Sequence, residues 1–511
     1  MTVLRSYLGG EWVSGQGPGA PLLDPTTGAT LAHASSVGLD LRAALEHARR
    51  VGGPTLRAMS FAERGAMLAK AAKAVHAQRE ELVALALANG GNTRGDAKFD
   101  LDGATGTMMH YAKLGGTMGD LGFAVEDEVA QLAPNPRYVG RHVRVPLVGV
   151  AVHINAFNFP AWGLMEKAAV AWLAGVPVLS KPATSTALVA QRIGELLAEV
   201  LPDGVFSLLI GGAGDLLDHV QLGDAVAFTG SSAVGAAIRA QVGARARVNV
   251  EADSLNAAVL GPDVADDSDA YELFVRETAR EMTLKAGQKC TATRRIFVPA
   301  DRIDDVGADL AECLDEVKAG APDHAGVRLG PLATPQQHAD VRAGIAQLAT
   351  ACSFVRGTGG RGALLGVDGD GGCFVEATLL RAPALDTPVV HALEVFGPVA
   401  TLIPYDGSAA QAVRGVALGQ GSLVASVYTN DRDFAREVVL GLAPYSGRVT
   451  LGDDRVAEHS PGPGTVMPAM VHGGPGRAGG GEELGGERGL AFYQQRTAIQ
   501  GSKALLEKIL A

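Results

Sequence analysis

The feature that most constrains the fold is a regular alternation of short apolar runs and helical patterns between residues 146 and 251. The run PLVGVAVHI (146–154) is continuous and rich in valine, as expected of a strand buried on both faces. A helical pattern follows at 160–175, with proline at its start and glycine at its end. Further strand patterns alternate with helical ones, at 176–180, 204–210, 224–230 and 246–251. This alternation predicts a parallel sheet with right-handed crossovers, which is an open α/β domain.

The rest of the chain divides into four further regions. Residues 40–90 carry apolar residues at helical spacing and are predicted to pack on the sheet. Residues 126–146 contain a Pro-Asn-Pro turn and then alternate like an exposed strand, which predicts an arm or hairpin. The strand-helix alternation begins again after residue 255, so we expect a second α/β domain. The glycine-rich segment HGGPGRAGGGEELGGERGL (472–490) has no repeat, and we interpret it as a flexible surface loop.

One short motif matches a cofactor fingerprint by its letters alone. GTGGRG (357–362) fits GxGxxG, which in a dinucleotide-binding domain follows a strand and opens a helix. Here ALLGVDGDGG follows, and this sequence does not predict a helix. We therefore interpret the motif as a loop and expect any cofactor site elsewhere.

Composition and charge exclude several classes of protein. The chain has 511 residues, of which 47% are hydrophobic, and this is enough for a core in several parts. The net charge of −11 argues against nucleic-acid and anionic-membrane partners, since both select basic patches. The N-terminus MTVLRSYLGGEWVSG lacks the apolar segment of a secretion signal, and the longest apolar run (168–179) is too short to span a bilayer. We expect a soluble cytoplasmic protein.

Cys290 stands in LKAGQKCTATRRIFV (284–298) with no cysteine nearby. Four cysteines in the chain make no disulfide framework, and none of them forms CxxC. The twelve histidines are scattered and none stands beside Cys290 in sequence, so we predict no metal site. Two interpretations of Cys290 remain open on this evidence, an inert core thiol and a nucleophile.

Four polar features fall at the carboxyl ends of predicted strands, where open α/β sheets bind their ligands. Asn158 follows the first strand, Lys181 the second, Gly230 and Ser231 the fourth, and Glu251 ends the fifth. The Gly-Ser helix start can hold a phosphate, and the lysine can reach phosphate or ribose hydroxyls. The asparagine offers a donor for an oxyanion, and the glutamate can act as a general base. Each residue alone has an ordinary structural explanation, but the set shares one rim.

The motifs AFNFPAW, LSKPA, FTGSSAVG, VNVEADS, GQKC, EVFGPV and SGRV occur in one order along the chain. The NAD(P)-dependent aldehyde dehydrogenases have these motifs in the same order, and the sequence resembles that family from YLGGEWVSG to GLAFYQQRTAIQG. The resemblance implies the aldehyde dehydrogenase fold, with a Rossmann-like parallel-sheet cofactor domain at 1–125 and 147–252. It also implies a second α/β catalytic domain at 253–460, and an oligomerisation arm and tail at 126–146 and 461–511. A homodimer or a dimer of dimers is the expected assembly.

The resemblance assigns roles to individual residues. It implies that the Cys290 thiolate attacks the aldehyde, since the thiolate is the nucleophilic form of cysteine. Asn158 and the Cys290 backbone N–H would hold the oxyanion, and Glu251 would activate water to release the acid. Glu394 matches the family residue that binds the nicotinamide-side ribose, and Phe396 matches the one that packs nearby.

The resemblance also bears on the choice of cofactor. Members that prefer NAD⁺ carry a glutamate where this chain has Thr184, and a carboxylate there repels a 2′-phosphate. Lys181 and Thr184 therefore predict NADP⁺, with NAD⁺ as the alternative. Gly235 belongs to the implied cofactor motif FTGSSAVG. Two features depart from the family pattern: Ala252–Leu255 replace the usual Leu-Gly-Gly-Lys, and the interval from Glu251 to Cys290 is somewhat long.

Four longer motifs, INAFNFPAWGLMEK, VEADSLN, GQKCTA and HGGPGRAGGGEELGG, resemble one branch of the family. Its members oxidise CoA-linked semialdehydes to carboxylic acids during aerobic breakdown of aromatic compounds. The alternatives are the dehydrogenase half of a bifunctional phenylacetate-degradation protein, a broad aldehyde dehydrogenase, and a non-catalytic structural protein on the same fold. Because the sequence stops at Ala511, where the resemblance ends, we favour the stand-alone semialdehyde enzyme. Glu251 argues against a CoA-acylating enzyme, which needs no general base.

Overall fold

The computed structural model describes residues 2–511. Its strands, in chain order, are β1 (Ser6–Leu8), β2 (Glu11–Val13), β3 (Ala20–Leu23), β4 (Thr30–Ala34), β5 (Ala124–Gln131), β6 (Tyr138–Pro146), β7 (Ala151–Ile154), β8 (Val178–Lys181), β9 (Phe206–Leu208), β10 (Ala225–Thr229), β11 (Arg247–Glu251), β12 (Ala257–Leu260), β13 (Arg295–Pro299), β14 (Ala319–Gly320), β15 (Ser353–Arg356), β16 (Leu364–Leu365), β17 (Thr378–Arg381), β18 (Val399–Tyr405), β19 (Ser422–Tyr428), β20 (Ser446–Gly452), β21 (Val471–Gly473), β22 (Glu482–Leu484) and β23 (Gln494–Ser502).

The α-helices, in the same order, are α1 (Leu41–His47), α2 (Gly53–Ala58), α3 (Phe61–Ala77), α4 (Arg79–Gly90), α5 (Arg94–Met118), α6 (Trp162–Ala174), α7 (Ala187–Ala198), α8 (Ser232–Val242), α9 (Asp269–Thr283), α10 (Ile303–Asp315), α11 (Pro335–Leu348), α12 (Pro388–Ala392), α13 (Ala409–Ala417), α14 (Arg432–Leu442) and α15 (Lys503–Ile509). Among the described residues, no helix combines the length and apolar character that crossing a bilayer requires.

The first sheet has the strand order β11-β10-β7-β8-β9-β1-β2. The five strands from β11 to β9 run parallel, and β1 and β2 extend the sheet in antiparallel fashion. The predicted α/β architecture is confirmed. The first predicted strand is shorter than its apolar run, because β7 begins only at Ala151. The chain bends at Gly149, just before the strand. A Cβ at this position would lie 2.3 Å from a carboxylate oxygen of Asp224, so glycine permits this close approach.

The second sheet has the order β15-β17-β18-β13-β12-β19-β20 and is parallel except for the edge strand β15. Each of the two large sheets packs against its own buried apolar cluster. The GTGGRG motif follows β15 as a loop in which Gly357, Gly359 and Gly362 have positive φ, and no helix follows it directly. The interpretation of this motif as a loop is confirmed.

A third, smaller sheet joins two distant parts of the chain. The strand β6 is paired on one side with β5 and on the other with β23, over the whole length from Tyr138 to Pro146. The predicted division into two domains and an arm, with its boundaries, stays a prediction. The hairpin β21–β22 departs from this division: it lies in the segment assigned to the arm and tail, yet it packs beside β11 and β20.

The loop after β7 is held by a buried carboxylate. Asp100 of α5 accepts hydrogen bonds from the backbone N–H of Ala161 at 3.3 Å and of Trp162 at 2.7 Å, at the start of α6. Free N–H groups at a helix start need such acceptors, and a negative charge is favoured there. The bonds fix the position of the preceding loop, which carries Asn158.

Candidate active site

The carboxyl ends of β7, β10 and β11 open into a cavity of about 610 Å³ that reaches the second sheet's loops. Seven of the ten residues predicted from the sequence line this cavity: Asn158, Gly230, Ser231, Glu251, Cys290, Glu394 and Phe396. A cavity of this size is typical of small-molecule and cofactor sites. The assigned roles of these residues stay a prediction, but the structure brings the residues together.

Lys181, Thr184 and Gly235 do not line this cavity. Lys181 ends β8, and burial lowers the pKa of its ammonium group. The Thr184 hydroxyl donates to the Gly211 carbonyl at 3.0 Å, so its hydrogen is already engaged. The hydroxyl is therefore not free to donate to a phosphate in this conformation, and the role of Thr184 in cofactor choice stays a prediction. Gly235 lets α8 approach β11 closely, since a Cβ there would lie 2.6 Å from the Val250 side chain.

The start of α8 carries an acid that the sequence analysis noted only as a departure from the family pattern. Ser231 caps the helix, and its hydroxyl accepts from the Val234 N–H. The Asp253 carboxylate accepts from the Ser232 N–H at 3.2 Å and from the Ser232 hydroxyl at 2.6 Å. A phosphate bound at this helix start would share the positive end of α8 with Asp253.

Cys290 follows a tight left-handed turn. Lys285 and Ala286 have φ of 55° and 53°, and Gly287 has φ of 67°. A Cβ on Gly287 would lie 2.1 Å from the Gly397 carbonyl oxygen, so only glycine fits there. The Lys285 backbone N–H donates to the buried Asp96 carboxylate at 2.8 Å. Backbone strain of this kind persists only where surrounding contacts hold it in place.

Two side chains fix the backbone on either side of the thiol. The Asn256 amide donates to the carbonyls of Cys290 at 2.8 Å and Ala292 at 2.9 Å. The buried Arg294 guanidinium donates to the carbonyls of Gly287 and Gly397. The thiol is therefore presented by a rigid loop rather than by a helix or strand.

The Cys290 sulfur lies beside a carboxylate and an imidazole. Its Sγ, a carboxylate oxygen of Glu251 and a ring nitrogen of His472 all lie within 4.8 Å of one another. The sequence prediction of no metal site relied partly on the absence of a histidine next to Cys290 in sequence. In the folded protein a histidine, His472, does lie close to Cys290. Burial raises the pKa of the Cys290 thiol, and the charge of Glu251 raises it further, to well above its usual range. The thiol is therefore protonated at neutral pH, and formation of a thiolate would require a base.

Glu251 is ionised in this environment. Its side chain is 4% exposed, and its carboxylate accepts a hydrogen bond from His472 Nε2 at 2.8 Å. Burial alone would raise the pKa of Glu251, but the charges of His472 and Lys167 outweigh burial and lower it to about 2. A carboxylate that stays charged at neutral pH can accept a proton from a thiol or from water.

His472 comes from the segment that the sequence analysis interpreted as a flexible surface loop, and that interpretation is wrong. The segment forms the antiparallel hairpin β21–β22, in which His472 stands opposite Glu483, and both are buried. A Cβ on Gly447 of β20 would lie 1.7 Å from the Gly473 carbonyl oxygen. The glycines therefore permit close backbone packing, and composition alone gave no sign of it.

A second buried group of charges lies behind Glu251. The Lys167 ammonium is 3.5 Å from the Glu166 carboxylate and 3.3 Å from that of Glu483. The Asn249 amide donates to Glu483 at 3.1 Å. Burial raises the pKa of Glu166 to about 7, although Lys167 acts in the opposite direction. The sequence analysis identified none of these residues as part of a site.

Glu394 and Phe396 form the wall opposite the start of α8. The Ser254 N–H donates to the Glu394 carboxylate at 3.1 Å, and burial raises the pKa of this carboxyl group to about 7. The Phe396 ring meets the edge of Phe157 at 5.9 Å, and the Arg294 guanidinium lies over it at 5.5 Å from the ring centre. Both predicted residues therefore face the cavity that contains Cys290.

Comparison with known proteins agrees with this geometry. The profile of the aldehyde dehydrogenase family matches residues 12–499. The chain belongs to the aldehyde dehydrogenase family. It is therefore an oxidoreductase, and the predicted family and fold are confirmed.

Two related proteins and one solved structure show which members of the family this chain is similar to. The chain is 46% identical over 484 residues to 3,4-dehydroadipyl-CoA semialdehyde dehydrogenase of Aromatoleum evansii, which covers 92% of this chain and 93% of that protein. It is 28% identical over 416 residues to the DhaS aldehyde dehydrogenase of Bacillus subtilis, with 79% of each chain covered. The crystal structure of apo betaine aldehyde dehydrogenase from Staphylococcus aureus superposes with a TM-score of 0.85 at 24% identity, over 98% of this chain and 95% of that one.

Proposed function

We propose that this aldehyde dehydrogenase oxidises a CoA-linked semialdehyde, 3,4-dehydroadipyl-CoA semialdehyde, to the carboxylic acid with NADP⁺. The observation that carries this proposal is the 46% identity to the Aromatoleum evansii enzyme across 92% of the chain. The shared cavity of Cys290, Glu251 and Asn158 supports the chemistry.

In the first half of the reaction, Cys290 is the nucleophile. Its sulfur forms a bond to the aldehyde carbon as the thiol proton passes to Glu251, the carboxylate beside it. The carbonyl oxygen becomes an oxyanion, which accepts hydrogen bonds from the Asn158 amide and the Cys290 backbone N–H. Because both donors are held by fixed backbone, they stabilise this charge without rearranging.

The cavity fits a nicotinamide dinucleotide in size and in its polar groups. Gly230 and Ser231 at the start of α8 would hold the phosphates, Glu394 the nicotinamide-side ribose, and Phe396 would pack beside it. When bound, the cofactor accepts the hydride that leaves the aldehyde carbon. Cys290 then holds the acyl group as a thioester.

In the second half, Glu251, after losing the thiol proton to solvent, removes a proton from water. The water oxygen forms a bond to the thioester carbon, the carbon–sulfur bond breaks, and the acid leaves while the Cys290 thiolate takes the proton from Glu251, which restores the thiol. A CoA-acylating enzyme would pass the acyl group to CoA and would need no such base. A structural protein on this fold would need neither Cys290 nor Glu251.

The first prediction concerns the substrate. We expect kcat/KM for the CoA-linked semialdehyde to exceed that for a simple aliphatic aldehyde of the same chain length by at least about tenfold, since binding energy from the CoA part would lower the barrier. Free CoA should not be consumed. A preference for the simple aldehyde would favour a broad dehydrogenase. Equal activity on the ring-opened phenylacetyl-CoA semialdehyde would favour the phenylacetate branch.

The second prediction separates the two halves of the reaction. Glu251→Gln should still give one burst of NADPH per active site, slowed because the thiol proton must pass to water, while the steady-state rate collapses because the thioester is not hydrolysed. Rapid-mixing absorbance measures both phases. Cys290→Ala is the matched control and should abolish the burst while cofactor binding persists. Loss of the burst in Glu251→Gln would show that thiol activation requires Glu251 and would leave its role in deacylation without support.

The third prediction concerns NADP⁺. No carboxylate stands at Thr184 to repel a 2′-phosphate, and Lys181 supplies a cation nearby in sequence. A hydrogen bond to a charged group contributes about 1.5–3 kcal/mol, which is about one to two decades in affinity. We therefore expect NADP⁺ to be preferred by at least about tenfold in kcat/KM.

Two substitutions test the origin of that preference. Thr184→Glu should reverse it, chiefly through KM for NADP⁺. Thr184→Val should keep it, because the threonine hydroxyl is engaged with Gly211. Equal kcat/KM for both cofactors in the unmodified enzyme would show that the missing carboxylate does not decide the matter.

The fourth prediction concerns assembly. The outer strands β5 and β23 of the third sheet are open edges, and Val129, Leu132 and Tyr138 near one edge are exposed apolar side chains. Exposed edges and apolar patches are liabilities unless a partner covers them. We propose a homodimer or a dimer of dimers. Light scattering at micromolar concentration should give at least twice the monomer mass of 52.4 kDa, and a monomer at that mass would refute the proposal.

A further inference from the structure

The proposed mechanism leaves one buried titratable group at the site without a role. His472 Nε2 donates to Glu251 Oε2 at 2.8 Å, and both side chains are 4% exposed. The other ring nitrogen, Nδ1, makes no hydrogen bond within the described residues. The imidazole therefore has Glu251 as its polar partner.

The hairpin that carries His472 is fixed to the strand that carries Glu251. The Ala252 N–H, next to Glu251, donates to the Ala478 carbonyl at 3.0 Å. The Asn249 side chain, two residues before Glu251 on β11, contacts Glu483 and the Glu482 backbone. The segment thus places the imidazole against the carboxylate with little freedom to move.

Several charged groups face this pair from the elements packed around it. They are Glu166 and Lys167 from α6, Cys290 from its loop, Arg448 from β20 and Glu483 from β22. Of the cations, only His472 is hydrogen-bonded directly to Glu251.

We propose that His472 is the positioning residue of Glu251: its imidazolium keeps the buried carboxylate ionised and holds it beside the Cys290 thiol. The inference rests on the proposed role of Glu251 in the reaction. It adds a partner for the general base that the sequence analysis did not foresee.

The electrostatic argument is reciprocal. Burial alone would raise the pKa of Glu251 and lower that of His472, because each charge loses its hydration. In contact, the two charges reverse both shifts: the pKa of Glu251 falls and that of His472 rises. Without the imidazolium, burial is opposed chiefly by Lys167, so the pKa of Glu251 should be higher than in the unmodified enzyme. The ionised base would then be lost as pH falls through a higher value than in the unmodified enzyme.

The fifth prediction tests this inference through the pH dependence of deacylation, measured as the steady-state rate after the burst. In His472→Phe the rate should fall at least about tenfold at pH 8. Between pH 8 and pH 6 the rate of His472→Phe should fall about tenfold more than the rate of the unmodified enzyme falls. One pH unit below its pKa, the Glu251 carboxyl group has lost about nine-tenths of its charged form. His472→Gln keeps a hydrogen-bond donor without the charge. It should recover part of the rate at pH 8 but show the same loss at pH 6.

A second buried histidine gives the matched control. His153 of β7 is bonded to the Tyr493 hydroxyl at 3.0 Å, and among the described residues no hydrogen bond joins it to Glu251. His153→Gln should keep the pH profile of the unmodified enzyme. If both His472 variants lower the rate by one factor at every pH, or leave it unchanged, His472 is structural and the inference is wrong.

The outcomes also distinguish this inference from the proposed function. If Glu251→Gln deacylates normally, the proposed role of Glu251 fails. If Glu251→Gln stalls deacylation while both His472 variants keep the normal pH profile, only the inference about His472 fails.

Discussion

Burial of the Glu251 charge is the constraint on which the site depends. An ionised carboxylate taken out of water carries a penalty of several kcal/mol unless opposite charges and hydrogen bonds surround it. Here the compensation comes from three distant parts of the chain: Lys167 on α6, Arg448 on β20 and His472 on the β21–β22 hairpin. These elements converge on the end of β11, which is an edge strand of its sheet. The glycine-rich segment brings His472 to this charge at 2.8 Å.

The position of Cys290, the proposed nucleophile, depends on contacts between the two halves of the chain. The turn before Cys290 is held on one side by Asp96, which belongs to the helices of the first half, and on the other by Asn256 and Arg294 of the second half. Because both halves fix this turn, the thiol keeps its position relative to the carboxylate on β11.

Sequence patterns predicted those features that depend on short stretches of chain. The apolar alternation predicted the parallel sheets, and the rule for carboxyl ends placed Asn158, Gly230 and Glu251 on one rim. His472 was missed because its role depends on a contact across more than two hundred residues. Its glycine-rich surroundings have a loop-like composition, while their small size is what allows the hairpin to pack against β20. The bond from Thr184 to Gly211 is likewise a tertiary contact without a local signal.

In the free enzyme the proton is on the Cys290 thiol and not on the Glu251 carboxylate. Burial and the neighbouring carboxylate keep the Cys290 thiol protonated, while His472 and Lys167 keep Glu251 ionised and weakly basic. Proton transfer from the thiol to the carboxylate is therefore unfavourable in the free enzyme. Carbon–sulfur bond formation changes that balance, because the negative charge moves from sulfur to an oxyanion held by fixed donors. In the proposed mechanism the thiol therefore gives up its proton only as an aldehyde binds beside Asn158.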